Sequence, residues 1–327
     1  MPSSENVALR YAGIYVLRGV AAFGIVGCHL SLFPRTVGGD LVISLCDFNV
    51  GVFAALAGFL MWGAKGSWLE YAARRIQRLL PTYFVWTIVF ILMTALFDLV
   101  YDGGHLNPRY MTCSFWWRVV FIGGSARQLW FIACLFYAQL ALFKMFSYYD
   151  GKWQGLMWIV TGGFLIAGSA LSPEWFARYP LRLVAFLVTG YGIGCCFHAG
   201  MFNGFLKRRR LVWCTTIGML IAHVASRGVV HCFVRDWLAV GPVLLAFVGL
   251  EIRSNSFQKV AAILGATSMG VYLVHPLVTR GLSVLVTRVV QSPYVAWIVL
   301  GEWIAAWLIS FALAVVLKRM PVIKKFV

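Results

Sequence analysis

The chain has 327 residues, 61% of them hydrophobic and only 12% charged, with a formal net charge of +17 and a mean hydropathy of +0.83. A soluble domain carries roughly a quarter charged residues, so this much apolar surface excludes an ordinary aqueous fold. Within a bilayer only helices or closed barrels satisfy the backbone. The apolar runs are about 17 to 25 residues long, the length of a spanning helix and not of a barrel's ten-residue alternating strands. The sequence therefore predicts an all-α, polytopic integral membrane protein.

In chain order, spans are predicted near 13–33, 42–64, 79–100, 125–145, 153–171, 181–200, 211–231, 236–250, 260–281 and 294–317, about ten in all. The segment ahead of the first span holds Glu5 and Arg10 and leads into an apolar run too long for a signal peptide, so that run is expected to stay as a span. Between the third and fourth spans, Phe115 to Ile122 carries Trp116 and Trp117, which suit a headgroup belt. With the N-terminus cytoplasmic, the inner segments hold 17 of the 28 basic residues, including Arg10, Arg75, Arg78, Lys207 to Arg210, and Lys324. By the positive-inside rule, both termini are predicted to be cytoplasmic. This topology, with attraction to anionic membrane lipids, accounts for the +17 charge without nucleic acid. No linker or internal repeat divides the chain, so residues 1–327 are predicted to form a single transmembrane domain.

The eight cysteines include no C-x-x-C pair and mostly fall in apolar runs, so they are expected to be small fillers, not a zinc or redox site. His105, His198, His223 and His231 have no matching carboxylates or thiolates, and no metal site is predicted. Ionisable groups within spans are costly and point to function. The first span has two, Arg18 and His29, eleven positions apart, which in one helix would face the same way about 16 Å apart. Taken singly, Arg18 could snorkel to the inner headgroups and His29 could be a hydrogen-bonded core histidine. Together they would line one face with a permanent cation and a titratable base.

Arg18-x10-His29 resembles the first-span signature of the acyltransferase-3 family. Further matches follow in order. Asn49 to Leu60 resembles the second-span stretch ending in Ser-Gly-Phe, with Ala57 in place of the serine. Arg75-x-x-Arg78 before Leu79-Leu80-Pro81-Thr82-Tyr83 resembles the basic start of the third span. Leu129-Trp130-Phe131-Ile132 resembles the Leu-Trp-Phe/Tyr segment, and Ser268 to Pro276 the late Tyr-Leu-x-His-Pro segment.

The resemblance implies a membrane O-acyltransferase that moves an acyl group, usually acetyl, from cytoplasmic acyl-CoA to a hydroxyl of an envelope glycan or lipid-linked sugar. It implies no tightly bound cofactor, and it fits a bacterial inner membrane. His29 is then expected to be the base, with Arg18 on the same face, and Arg18, Arg75 and Arg78 are expected to take the phosphates of the donor. Asp47, with Asn49 beside it, or Glu302 is a candidate to orient the imidazole. His275 either lines the cavity or packs at the kink expected from Pro276. The competing expectation is a transporter without acyl chemistry, against which the absent repeat symmetry counts.

Overall fold

The computed structural model describes residues 12–30, 37–64, 66–101, 112–122, 129–148, 152–171, 175–226, 232–289 and 296–326. Of the residues named above, Glu5, Arg10, His105 and His231 lie outside these. Among the described residues all regular structure is helical, as the long apolar runs require. The helices are α1 (Ala12–Cys28), α2 (Val37–Phe59), α3 (Trp68–Tyr101), α4 (Cys113–Ile122), α5 (Leu129–Tyr148), α6 (Lys152–Leu171), α7 (Trp175–His198), α8 (Asn203–Lys207), α9 (Arg209–Ala225), α10 (Cys232–Val248), α11 (Asn255–Val289) and α12 (Ala296–Arg319). By length and composition, six segments among the described residues can cross a membrane: Trp68–Leu99, Leu129–Phe146, Trp153–Leu171, Pro180–His198, Asn255–Val286 and Ile298–Arg319. Ala12–Cys28 and Leu45–Phe59 are shorter apolar helices.

Two boundaries differ from the predicted spans in ways that matter. The first helix stops at Cys28, not near residue 33. The His29 and Leu30 amides reach back only three residues, to Val26 O and Gly27 O at 3.2 Å each, so the helix closes in a tight turn. The sequence runs on to Pro34, ahead of which a helix seldom persists. The third helix begins at Trp68, so Arg75 and Arg78 stand on helix one turn apart and not in a loop. On α4, Trp116 and Trp117 are exposed, as a headgroup belt would need.

The helices gather into two compact units, the first comprising residues 1–62 and 151–321 and the second residues 63–150 and 322–326. In the first unit, small residues let backbones approach closely, the usual way helices pack without a hydrophobic drive between them. A Cβ on Gly190 of α7 would lie 1.8 Å from the Ala55 carbonyl oxygen of α2, and one on Gly58 of α2 would lie 1.9 Å from the Leu187 carbonyl oxygen of α7. Phe23 of α1 stacks on Trp303 of α12 with centroids 4.5 Å apart, and the Trp303 indole donates to the Phe23 carbonyl at 2.9 Å. Ala22, Val26 and Leu30 meet Val271 of α11 and Ala306 of α12 in one buried cluster. The opposite character appears along α6, where Trp153, Met157, Val160, Phe164 and Leu171 are exposed, as a lipid-facing helix surface requires.

In the second unit, α3 packs on α5 through Tyr71 stacked on Phe143 at 3.9 Å and the Trp68 indole donating to Leu140 O at 3.0 Å. The Tyr83 hydroxyl donates to the Val119 carbonyl of α4, and the Trp86 indole to Phe326 O at 2.9 Å.

Candidate active site

The first unit brings together the two histidines that stand 246 positions apart in the sequence. His29 sits in the turn closing α1, and its ring centroid lies 5.0 Å from that of His275 on α11, tilted by 46°. His29 is exposed, whereas His275 is fully buried. The His275 Nδ1 faces the Val271 carbonyl oxygen one turn back at 3.2 Å, so a neutral ring keeps its proton there and leaves a lone pair on Nε2. That Nε2 is buried with no hydrogen-bond partner among the described residues. Helix α11 continues through Pro276, which has no N–H to return to the Tyr272 carbonyl. The Tyr272 ring lies 6.0 Å from that of His275 and 6.4 Å from that of Phe53 of α2. The ring of His275 therefore stands against that of the candidate base.

The other sequence candidates fall in different places. Asn49 is buried, and its amide nitrogen donates to Leu45 O and Cys46 O of its own helix, both at 2.9 Å. It also fills the space over Gly24, where a Cβ would lie 2.1 Å from the Asn49 Nδ2, so it locks α1 against α2. Glu302 is buried on α12, and one carboxylate oxygen accepts from the Ser283 hydroxyl of α11 at 2.9 Å. Its second oxygen has no hydrogen-bond partner among the described residues. Arg18 is half-buried on α1, about 15 Å along the axis from Cys28. Arg75 and Arg78 belong to the second unit, where the Arg75 guanidinium lies 4.9 Å from the Tyr71 ring centroid, a cation–π contact, and Arg78 is exposed.

Asp47 leads to a group that the sequence did not single out. It is exposed on α2, within electrostatic range of Arg182 (α7), His223 (α9), and Arg235 and Asp236 (α10). Arg182 and Asp236 form an ion pair with side chains 11% and 3% exposed, and the His223 Nδ1 lies 3.6 Å from the other Asp236 oxygen. Arg182 also stacks over Phe233 at 4.5 Å. In sequence, Arg182, Arg235 and Asp236 sit at predicted span starts and resemble ordinary loop charge, while His223 lies within the predicted 211–231 span without a matching ligand set. The signal that could have found them is Arg182 following Pro180 directly into an apolar run.

The sequence model of one protein family, described as an acyltransferase domain, matches residues 11–319, nearly the whole chain. No curated protein and no solved structure matches the chain.

Proposed function

Since the chain belongs to the acyltransferase-3 family, we propose that it moves an acyl group, acetyl in the first instance, from cytoplasmic acyl-CoA to a hydroxyl of an envelope sugar or glycolipid. The family match over residues 11–319 carries this assignment. The approach of His29 to His275, with ring centroids 5.0 Å apart, supports its chemistry.

His29 takes the proton of the acceptor hydroxyl as that oxygen attacks the thioester carbonyl. The tetrahedral intermediate collapses with loss of the C–S bond, and the imidazolium returns its proton to the departing thiolate. The products are an ester and free CoA, with the base regenerated. A covalent relay through the enzyme reaches the same products in two such steps. Arg18, Arg75 and Arg78 supply guanidinium groups for the donor phosphates, which bind as bidentate pairs. The protein sits in a bacterial inner membrane with both termini cytoplasmic, in accord with its Lys and Arg distribution.

The test is a reconstitution in lipid vesicles with labelled acetyl-CoA and a crude envelope glycan and glycolipid fraction. Label should pass to the acceptor fraction. If several acyl-CoAs and acceptors give neither donor consumption nor transfer, acyl transfer is refuted and solute flux becomes the next assay.

A further inference from the structure

We propose that the charged cluster of Arg182, His223, Arg235 and Asp236 binds an anionic group carried by the acceptor, either a sugar carboxylate or a phosphate. The proposal rests on the acyl-transfer assignment only for the identity of its ligand.

The case begins with charge pairing. Asp236 is matched by Arg182, with His223 against its second oxygen. Arg235 is left over. It is 7% exposed, and among the described residues it enters no ion pair. Asp47 lies within electrostatic range but is exposed and shared with Arg182 and His223. A guanidinium cannot shed its proton to escape burial, and an unmatched buried charge in a membrane protein marks a ligand site by default.

Two further observations point to an anion. The Nε atoms of Arg182 and Arg235 are both buried with no hydrogen-bond partner among the described residues, so two guanidinium N–H donors await an acceptor. Arg235 also sits in the first turns of α10, which starts at Cys232, so the positive end of that helix adds to the field. The cluster adjoins the base-bearing end of α1. Cys28, the neighbour of His29, is within electrostatic range of both Asp47 and Arg182. On the orientation proposed above, all four residues lie toward the outer ends of their helices, on the acceptor side. An anion held there would bring a neighbouring sugar hydroxyl toward His29.

The experiment measures equilibrium binding of three labelled probes to the full chain in vesicles, with protein-free vesicles subtracted. The probes are octyl glucoside, octyl glucuronide and octyl glucoside 6-phosphate. Wild type should bind at least one anionic probe about tenfold or more tightly over the neutral one, as charge-assisted hydrogen bonds allow. The tighter of the two anionic probes assigns the source, an acidic sugar or a phosphate-bearing carrier. Arg235→Gln should reduce the preference to about twofold or less, and Arg235→Lys, which keeps the charge without the fork, should fall between. Thermal unfolding of each variant checks that it is folded, and the wild-type preference is decisive without them. Equal binding of all three probes by wild type overturns the proposal, as does a preference unchanged in Arg235→Gln. An anion preference without transfer of label from acetyl-CoA to any probe would leave the site standing and overturn acyl transfer. Equal transfer to all three with no binding preference would do the reverse.

Discussion

The imidazole of His29, in the turn that closes α1, stands 5.0 Å from the buried imidazole of His275 on α11. With the His275 proton directed at Val271 O, its Nε2 lone pair is available to a neighbour or to a water between the rings. If His275 positions the base, the two amide variants separate its nitrogens. His275→Gln places an amide near the Nε2 position and His275→Asn near the Nδ1 position. Steady-state kinetics should show kcat falling by about tenfold to a hundredfold in His275→Asn with acyl-CoA KM little changed, and less in His275→Gln. Equal losses in both variants would mean that packing, not Nε2, is what matters.

Loss of the base itself should be more severe. His29→Ala should lower transfer by at least about a hundredfold. In wild type the rate should fall as the medium is made more acidic, by at most about tenfold per pH unit, because a protonated imidazole cannot accept the hydroxyl proton. The residual rate of His29→Ala should not follow that limb. A variant matching wild type in both respects would remove His29 from the mechanism.

Arg75 and Arg78 are tested by salt. If they bind the donor phosphates, Arg78→Gln should raise the acyl-CoA KM about tenfold or more, and Arg78→Lys should recover only part of it. The wild-type KM should rise with ionic strength, and that dependence should weaken in Arg78→Gln. An unchanged KM in Arg78→Gln would assign the pair to topology alone.

Glu302 gives a prediction of opposite sign. In the fold it accepts from the Ser283 hydroxyl and so ties α11 to α12. Glu302→Gln retains an acceptor oxygen at that position, so transfer should stay within about threefold of wild type and unfolding temperature should change little. A hundredfold loss of transfer in a folded Glu302→Gln protein would make the carboxylate part of the chemistry.

Helix contacts can be tested with paired glycines. A Cβ on Gly190 would lie 1.8 Å from the Ala55 carbonyl, whereas one on Gly218 of α9 meets nothing within 4 Å. Gly190→Ala should destabilise by about 1–3 kcal/mol through overpacking. Gly218→Ala should be neutral or stabilising, since alanine is the better helix former. Thermal unfolding in detergent compares the two directly.

The helices were readable because a bilayer demands one property of a span, sustained apolarity, and composition carries it. Their ends were less so. Tyr71, Arg75 and Arg78 mix polar and apolar character in a way that hydropathy assigns to a loop, yet the packing of Tyr71 on Phe143 and the Trp68 indole bond make that segment helical. Arg18 and His29 were singled out as ionisable residues in one apolar run and by their resemblance to the family signature. The His29–His275 pair was not, because it is created by α1 packing on α11, which no local pattern encodes. The grouping of Arg182, His223 and Asp236 was missed for a related reason: Arg182 and Asp236 at span starts look like topology, His223 within its span has no ligand partner in sequence, and only their convergence from three helices makes them a cluster.

The early end of α1 also bears on water. From Arg18 the helix rises only about 15 Å before it ends at Cys28, half of the roughly 30 Å of a hydrocarbon core. On the proposed orientation, with Arg18 toward the cytoplasmic side, His29 would then stand below the outer rim of the apolar slab, where bulk water is scarce and a sugar lowered from the surface can still reach. Depth would then be what separates acceptor acylation from wasteful hydrolysis of the thioester, and thinning the bilayer should shift the balance toward hydrolysis.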